Sequence, residues 1–231
     1  MRPVHRGEPP RMYARYQDAI GDLEDRLGRY CSYCERPLPV SLAVEHVVAK
    51  SIAPHLKTSW TNFLLACPNC NSAKGKQLAD IEDWLWPDRD NTVSAFQYGA
   101  GGVVETAPNL EAHVRVKADN LRKLVGLDRH PLASVKKHPA RRDKRWSDRE
   151  HAWKLAEEQK AMLALFPENA RSLVRRLILD TAAGYGFFSV WMTVFAEDRD
   201  IRLGLIARMA GTAPDCFDTD GLPIARPGGR I

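Results

Sequence analysis

The chain has 231 residues, 44% hydrophobic and 27% charged, a composition that excludes a disordered chain and leaves room for one large domain or two small ones. Its net charge of +5 favours a polyanionic partner without proving one. No internal repeat and no long low-complexity segment interrupts it.

Residues 1–11, MRPVHRGEPPR, are basic and proline-rich. They lack the apolar core of a signal peptide, so a reducing, cytoplasmic compartment is expected. Arg2, His5, Arg6 and Arg11 can touch phosphate; a flexible solvated arm is the equal alternative. The spacing of Tyr13, Tyr16, Ile20, Leu23 and Leu27 predicts a helix leading out of this arm.

The most informative stretch is 31–76. Cys31 and Cys34 are two residues apart, and so are Cys67 and Cys70. That gap lets both thiolates of a pair face one ion, and two pairs complete a tetrahedral shell that suits Zn²⁺. Two disulfides are the rival, disfavoured in a reducing cytosol. Four thiolates leave no open position, so the zinc is expected to be structural. Cys216 is left over and reads as a small buried hydrophobe.

Between the pairs, Val44-Glu45-His46-Val47-Val48 reads as a short strand, Ala49 to Thr61 as a loop, and Phe63-Leu64-Leu65-Ala66 as the partner strand. Asn71-Ser72 are good capping types and are expected to open a helix. His46 is a natural base near neutral pH. Glu45 and Asn71 offer hard oxygens for Mg²⁺ or Mn²⁺. Asn62 can brace the loop or orient His46. A regular strand points adjacent residues to opposite faces, so Glu45 and His46 share a site only if the strand bends or ends there. Each residue has a plainer reading: a surface pair, a turn Asn, a helix cap, a solvated face of lysines.

The ordered set of both Cys pairs with Glu45-His46, Asn62 and Asn71 resembles the HNH endonuclease motif, or ββα-metal fold, in its four-cysteine zinc form. The resemblance implies that Glu45 and Asn71 hold a catalytic divalent ion, that His46 is the general base and that Asn62 positions it. Lys50, Lys74 and Lys76 are then the expected phosphate contacts. Ala49 stands where that motif usually has proline.

Beyond the motif, Leu78, Ile81 and Leu85 with Trp84 and Trp86 continue an apolar pattern expected to pack against the zinc module, and Pro87 ends it. Phe96-Gln97-Tyr98 and Val103-Val104 around Gly99 to Gly102 predict a hairpin. The expected division is 1–90, arm, helix and zinc module, and 91–231, mainly helical. Leu121, Leu124, Val125 and Leu127 give an amphipathic helix from Ala118. Residues 136–149 hold seven Lys or Arg, and Arg141, Arg142, Lys144 and Arg145 are candidate phosphate contacts around Trp146; the alternative is a solvated face. A long helix then runs to Phe166, where Pro167 breaks it.

Leu177 to Ala196 is 20 residues with the single charge Asp180. Gly184-Tyr185-Gly186 interrupts it and charges flank it, so it reads as two buried helices and not a membrane span. Residues 200–210 give a further helix, and Gly221 to Ile231 is expected to fray.

The fold class expected is α+β, a mainly helical chain carrying a zinc-stapled ββα unit. The MRPVHRG start, the CSYCER knuckle and the FFSVWM segment are similar to the HNH subunits of Septu-type bacterial antiphage systems. That second resemblance implies a bacterial DNA-cutting effector acting beside an ABC-type ATPase, with RNA as an open alternative substrate and the C-terminal helices as the docking surface. The rival is an inactive zinc-knuckle nucleic-acid-binding or scaffold subunit.

Overall fold

A computed structural model of the chain describes residues 1–38, 40, 42–76, 81–134 and 138–231. Strand β1 (Ala43–His46) pairs antiparallel with β2 (Phe63–Ala66), Glu45 facing Leu64 and His46 facing Phe63. The unbroken apolar run of β2 is buried at all four positions, as a strand covered on both faces should be. Burying Phe63, Leu64 and Leu65 stabilises by about 1.5–3 kcal/mol each relative to exposure. Helix α1 (Ile20–Leu27) covers β2 with Leu23 and Leu27, four residues apart on one face. It ends at Gly28, whose φ of +70° and close approach to the Tyr30 ring leave no room for a Cβ.

Helix α2 (Pro68–Lys74) follows β2. It opens earlier than the Asn71 cap expected from sequence. Cys67 is the cap, its Sγ accepting the Cys70 N–H at 3.4 Å, and Pro68 supplies a preset φ at the first helical position. Asn71 therefore sits inside the helix. Leu78 lies outside the described residues. Trp86 is fully buried and donates its indole N–H to the Ile81 carbonyl at 2.9 Å. It shares one core with the four knuckle cysteines, as expected.

After the short α3 (Thr92–Ala95), β3 (Phe96–Gly99) and β4 (Val103–Thr106) form the expected hairpin. Gly102 has φ +74°, and a Cβ there would collide with the Trp146 carbonyl oxygen. The remaining helices are α4 (Ala112–Leu124), α5 (Arg145–Leu165), α6 (Glu168–Tyr185), α7 (Phe188–Val194) and α8 (Arg199–Arg208). Helix α4 begins six residues before Ala118, at Ala112. Pro167 separates α5 from α6, and Gly186 with Phe187, both at positive φ, turns the chain into α7. Among the described residues no helix is long and apolar enough to cross a membrane. The whole is α+β.

Packing crosses the division expected at residue 90. One core takes in Val4, Leu23, the knuckle, β2, Trp86, Tyr98, Leu121 and Ala152, and reaches Phe187 and Val190. A second core joins Ile178, Phe188, Trp191, Phe195, Ile201 and Leu205. Helix α7 thus belongs to both. Glu35 reinforces the junction. Its buried carboxylate accepts the Ser189 N–H at 2.8 Å and the Ser189 hydroxyl at 2.6 Å, and ion-pairs with the Met1 ammonium at 3.5 Å.

Both ends of the chain depart from expectation. Arg2 is buried and donates to the carbonyls of Met209 at 3.0 Å and Leu27 at 2.8 Å. Arg6 donates to Phe63 O and Asp88, at 2.8 and 2.7 Å. The arm is docked, and these two arginines satisfy carbonyls rather than phosphate. The tail is docked too: Arg226 donates to Val4 O and Pro87 O, both at 3.1 Å, and Arg230 N–H to Asp90 at 2.9 Å. Polar side chains that find buried carbonyls order a segment that its Gly/Pro composition would leave loose.

Candidate active site

The four sulfurs of Cys31, Cys34, Cys67 and Cys70 lie within 4.8 Å of one another, all buried, and Cys34 Sγ is 3.7 Å from Cys67 Sγ. A tetrahedral shell with Zn–S bonds of 2.3 Å has S–S edges of about 3.8 Å. The thiols are free, with no disulfide. Geometry and donor chemistry fit one metal ion of the zinc type. Cys216 is buried elsewhere, and burial pushes its thiol up to about 12.

Arg145, expected on a phosphate-facing surface, is instead part of this centre. Its Nη1 donates to Cys70 Sγ at 3.0 Å and to Val125 O at 2.7 Å, and its Nη2 to Gly126 O at 3.1 Å and Asp143 at 2.7 Å. Arg145 and Asp143 are only 2% and 4% exposed. A cation buried beside thiolates offsets charge that the interior would otherwise penalise. Arg149, from the same basic stretch, is also buried and donates to Gly102 O at 3.0 Å. Arg141, Arg142 and Lys144 are exposed as expected. Lys136 and Lys137 lie outside the described residues.

At the other end of the ββα unit a cleft of about 780 Å³ opens, lined by β1, the loop after it, α2 and the segment carrying Tyr16 and Gln17. It brings together Glu45, His46, Lys50, Asn71, Lys74 and Lys76; Arg141, Arg142 and Lys144 are not among its lining. Strand β1 ends at His46, which is how neighbouring residues come to share one cleft.

His46 Nε2 lies 2.9 Å from the Lys57 carbonyl oxygen. A carbonyl only accepts, so Nε2 carries the proton and Nδ1 keeps its lone pair. Tyr16 and Phe63 meet the ring edge-on at centroid distances of 4.9 and 5.3 Å. Burial, and then the nearby lysines, hold the imidazole below its usual pKa against the bond to Lys57, so the ring is neutral at neutral pH.

Asn62 does not touch His46. Its Oδ1 accepts the Val48 N–H at 2.7 Å, and its Nδ2 donates to Val48 O at 2.9 Å and Leu56 O at 3.3 Å. It pins both ends of the loop that delivers Lys57 O to the imidazole. Its hold on the ring is indirect.

Lys74 is the second departure. Expected to face phosphate, it is 2% exposed, its Nζ 2.8 Å from Glu45 Oε1 and 2.7 Å from His46 O. It locks α2 onto β1. Burial raises the Glu45 carboxyl and Lys74 counteracts it. Among the described residues the Asn71 carboxamide has no hydrogen-bond partner, leaving its oxygen available in the cleft. Lys50 and Lys76 are exposed, and Lys50 Nζ sits 4.3 Å above the Tyr16 ring. The oxygens of Glu45 and Asn71 are the donor type that Mg²⁺ or Mn²⁺ takes, though among the described lining residues Glu45 is the lone carboxylate. Sequence reasoning missed Tyr16 and Lys57 as site residues. Tyr16 followed the apolar period of α1, and Lys57 acts through its carbonyl, which no side-chain pattern encodes.

No curated protein matches the chain. The family model described as HNH endonuclease matches residues 31–77. That span carries both cysteine pairs, Glu45, His46, Asn62 and Asn71, so the match supports a nuclease domain with a nucleic-acid substrate.

Proposed function

We propose that the protein is a metal-dependent endonuclease that hydrolyses phosphodiester bonds of DNA. The observation that carries this reading is His46, oriented by its Nε2 bond to Lys57 O and with no partner for Nδ1 among the described residues, in a cleft that also holds Glu45, Asn71 and lysines. In the reaction His46 Nδ1 takes a proton from water, the water oxygen bonds to phosphorus, and the bond from phosphorus to the leaving deoxyribose oxygen breaks, that oxygen taking a proton from solvent. The Nε2–H bond to Lys57 O supports the imidazolium as it forms. Asn62 keeps that carbonyl in place, and Lys50, Lys57 and Lys76 draw the phosphate backbone in. A divalent ion held by Glu45 and Asn71 would supply charge stabilisation at the phosphate and the leaving oxygen.

The zinc-type centre is structural, since its four thiols close the shell. The finer reading is an effector of bacterial antiphage defence acting with an ABC-type ATPase. It is supported by the resemblance of MRPVHRG, CSYCER and FFSVWM to Septu-type subunits. Leu165, Leu173 and Leu177 are exposed on α5 and α6 and would supply apolar surface for that partner.

One observation favours an inactive binding subunit instead: Glu45 is already paired with Lys74. A metal titration of plasmid cleavage separates the two readings. Nicking that needs Mg²⁺ or Mn²⁺ and disappears in His46→Ala supports the nuclease. No cleavage with either ion, alongside intact DNA binding, would replace it with the binding subunit.

A further inference from the structure

The charge of the cleft is lopsided. Among the described residues its lining holds one carboxylate, Glu45, against four lysines, Lys50, Lys57, Lys74 and Lys76. The one carboxylate is not free. Lys74 Nζ stands 2.8 Å from its Oε1, and the two side chains are 2% and 3% exposed. The same ammonium donates to His46 O at 2.7 Å, so moving it strands a carboxylate and a carbonyl away from water. Burial makes both losses expensive.

A divalent ion entering the free protein therefore meets a neutralised carboxylate, a neutral carboxamide and a surplus of positive charge. Mg²⁺ and Mn²⁺ bind through hard oxygens and favour anionic ones. A phosphodiester sees the opposite: exposed lysines, Lys50, Lys57 and Lys76, that attract its charge before any metal is bound. We propose that the cleft takes up the nucleic-acid backbone first and its divalent ion only afterwards, the scissile phosphate supplying the anionic oxygens that the Lys74-bound Glu45 lacks. The inference rests on the nuclease reading of this cleft and adds its order of binding. Thermodynamic reciprocity follows: nucleic acid must tighten metal by the factor by which metal tightens nucleic acid.

The test uses full-length His46→Ala protein, which is expected to bind without cutting, in metal-scrubbed buffer without chelator so that zinc stays in place. Mn²⁺ binding is read from loss of the free-ion electron paramagnetic resonance signal, with and without a short DNA duplex, corrected for Mn²⁺ bound by the duplex alone. The expected result is that DNA binds without Mn²⁺ and raises Mn²⁺ affinity about tenfold or more, within the usual range of coupling between sites. Equal Mn²⁺ affinity in both states, or DNA binding that requires Mn²⁺, overturns the proposal. Lys74→Met, checked for zinc content and circular dichroism, should tighten Mn²⁺ in the free protein and shrink the effect of DNA. Should that variant misfold, Lys50→Gln with Lys76→Gln, both exposed, should tighten Mn²⁺ and weaken DNA; no change in either overturns the idea. Cleavage by the parent protein without this coupling sinks only the binding order. Coupling without any cleavage by the parent protein supports the order and removes the nuclease reading.

Discussion

The two ends of the ββα unit each contain a buried cation, and they use it differently. At the knuckle end Arg145 joins Cys70, two carbonyls and Asp143 behind four inward-facing thiols. Each nitrogen of that guanidinium is spent on another protein group. At the cleft end Lys74 neutralises Glu45, while Asn71, His46 and the exposed lysines line an open cleft. A closed arrangement of charges holds structure together. An open one with cations in excess is built to receive an anion. Arg145 and Lys74 look alike in sequence, as basic residues near the motif, and neither faces phosphate.

The comparison breaks most visibly if the knuckle proves dispensable. Cys31→Ser or Cys67→Ser should release the metal and unfold residues 31–76, and with them the shared core, because structural zinc carries an apparent binding free energy of about 10–16 kcal/mol. Zinc per chain and thermal unfolding of the variants check this. Less than about half a zinc per folded parent chain would remove the closed end of the comparison.

At the open end, His46→Ala should lower cleavage by roughly 10² to 10⁴-fold while zinc content and melting temperature stay near the parent values. Excess Mn²⁺ should not rescue it, whereas it should partly rescue Asn71→Ala, which loses only an oxygen donor. A His46→Ala protein that cuts as well as the parent at every metal concentration would refute the base assignment.

Arg145→Ala sharpens the contrast between the two buried cations and the exposed ones. It leaves Asp143 buried without its partner, and should cost about 3–5 kcal/mol in denaturant unfolding and loosen zinc against a chelator. Neutralising Arg141, Arg142 and Lys144 together should leave stability within about 0.5 kcal/mol, because exposed positions contribute little. If that surface tracks phosphate, the triple variant should also weaken DNA binding and flatten its salt slope. Equal stability loss in both variants would erase the distinction.

A smaller loss of cleavage is expected behind the cleft than at His46. Asn62→Ala removes the partners of Val48 N–H, Val48 O and Leu56 O, costing about 1–3 kcal/mol. Its cleavage should fall less than that of His46→Ala, since Asn62 acts on the imidazole only through the loop. A loss equal to that of His46→Ala would mean that Asn62 does more than brace.

What the sequence determined by itself was local. Two residues between cysteines bring thiols to one point, an apolar Phe63–Ala66 run makes a buried strand, and Pro and Gly end helices at Leu165 and Tyr185. These depend on spacing and backbone preference, which a chain carries wherever it is. The order of Glu45, His46, Asn62 and Asn71 was legible for the same reason. What only the tertiary structure decided was the fate of the charges. Whether a lysine or arginine meets phosphate or a buried carbonyl depends on which distant segments pack over it. Lys74 met β1 across 28 residues, Arg145 met Cys70 across 75, and Arg2 met Met209 across 207. Arm and tail, loose by composition, are ordered by such long-range hydrogen bonds. A buried cation gains its partners from the fold, and no local pattern of residues can assign them in advance.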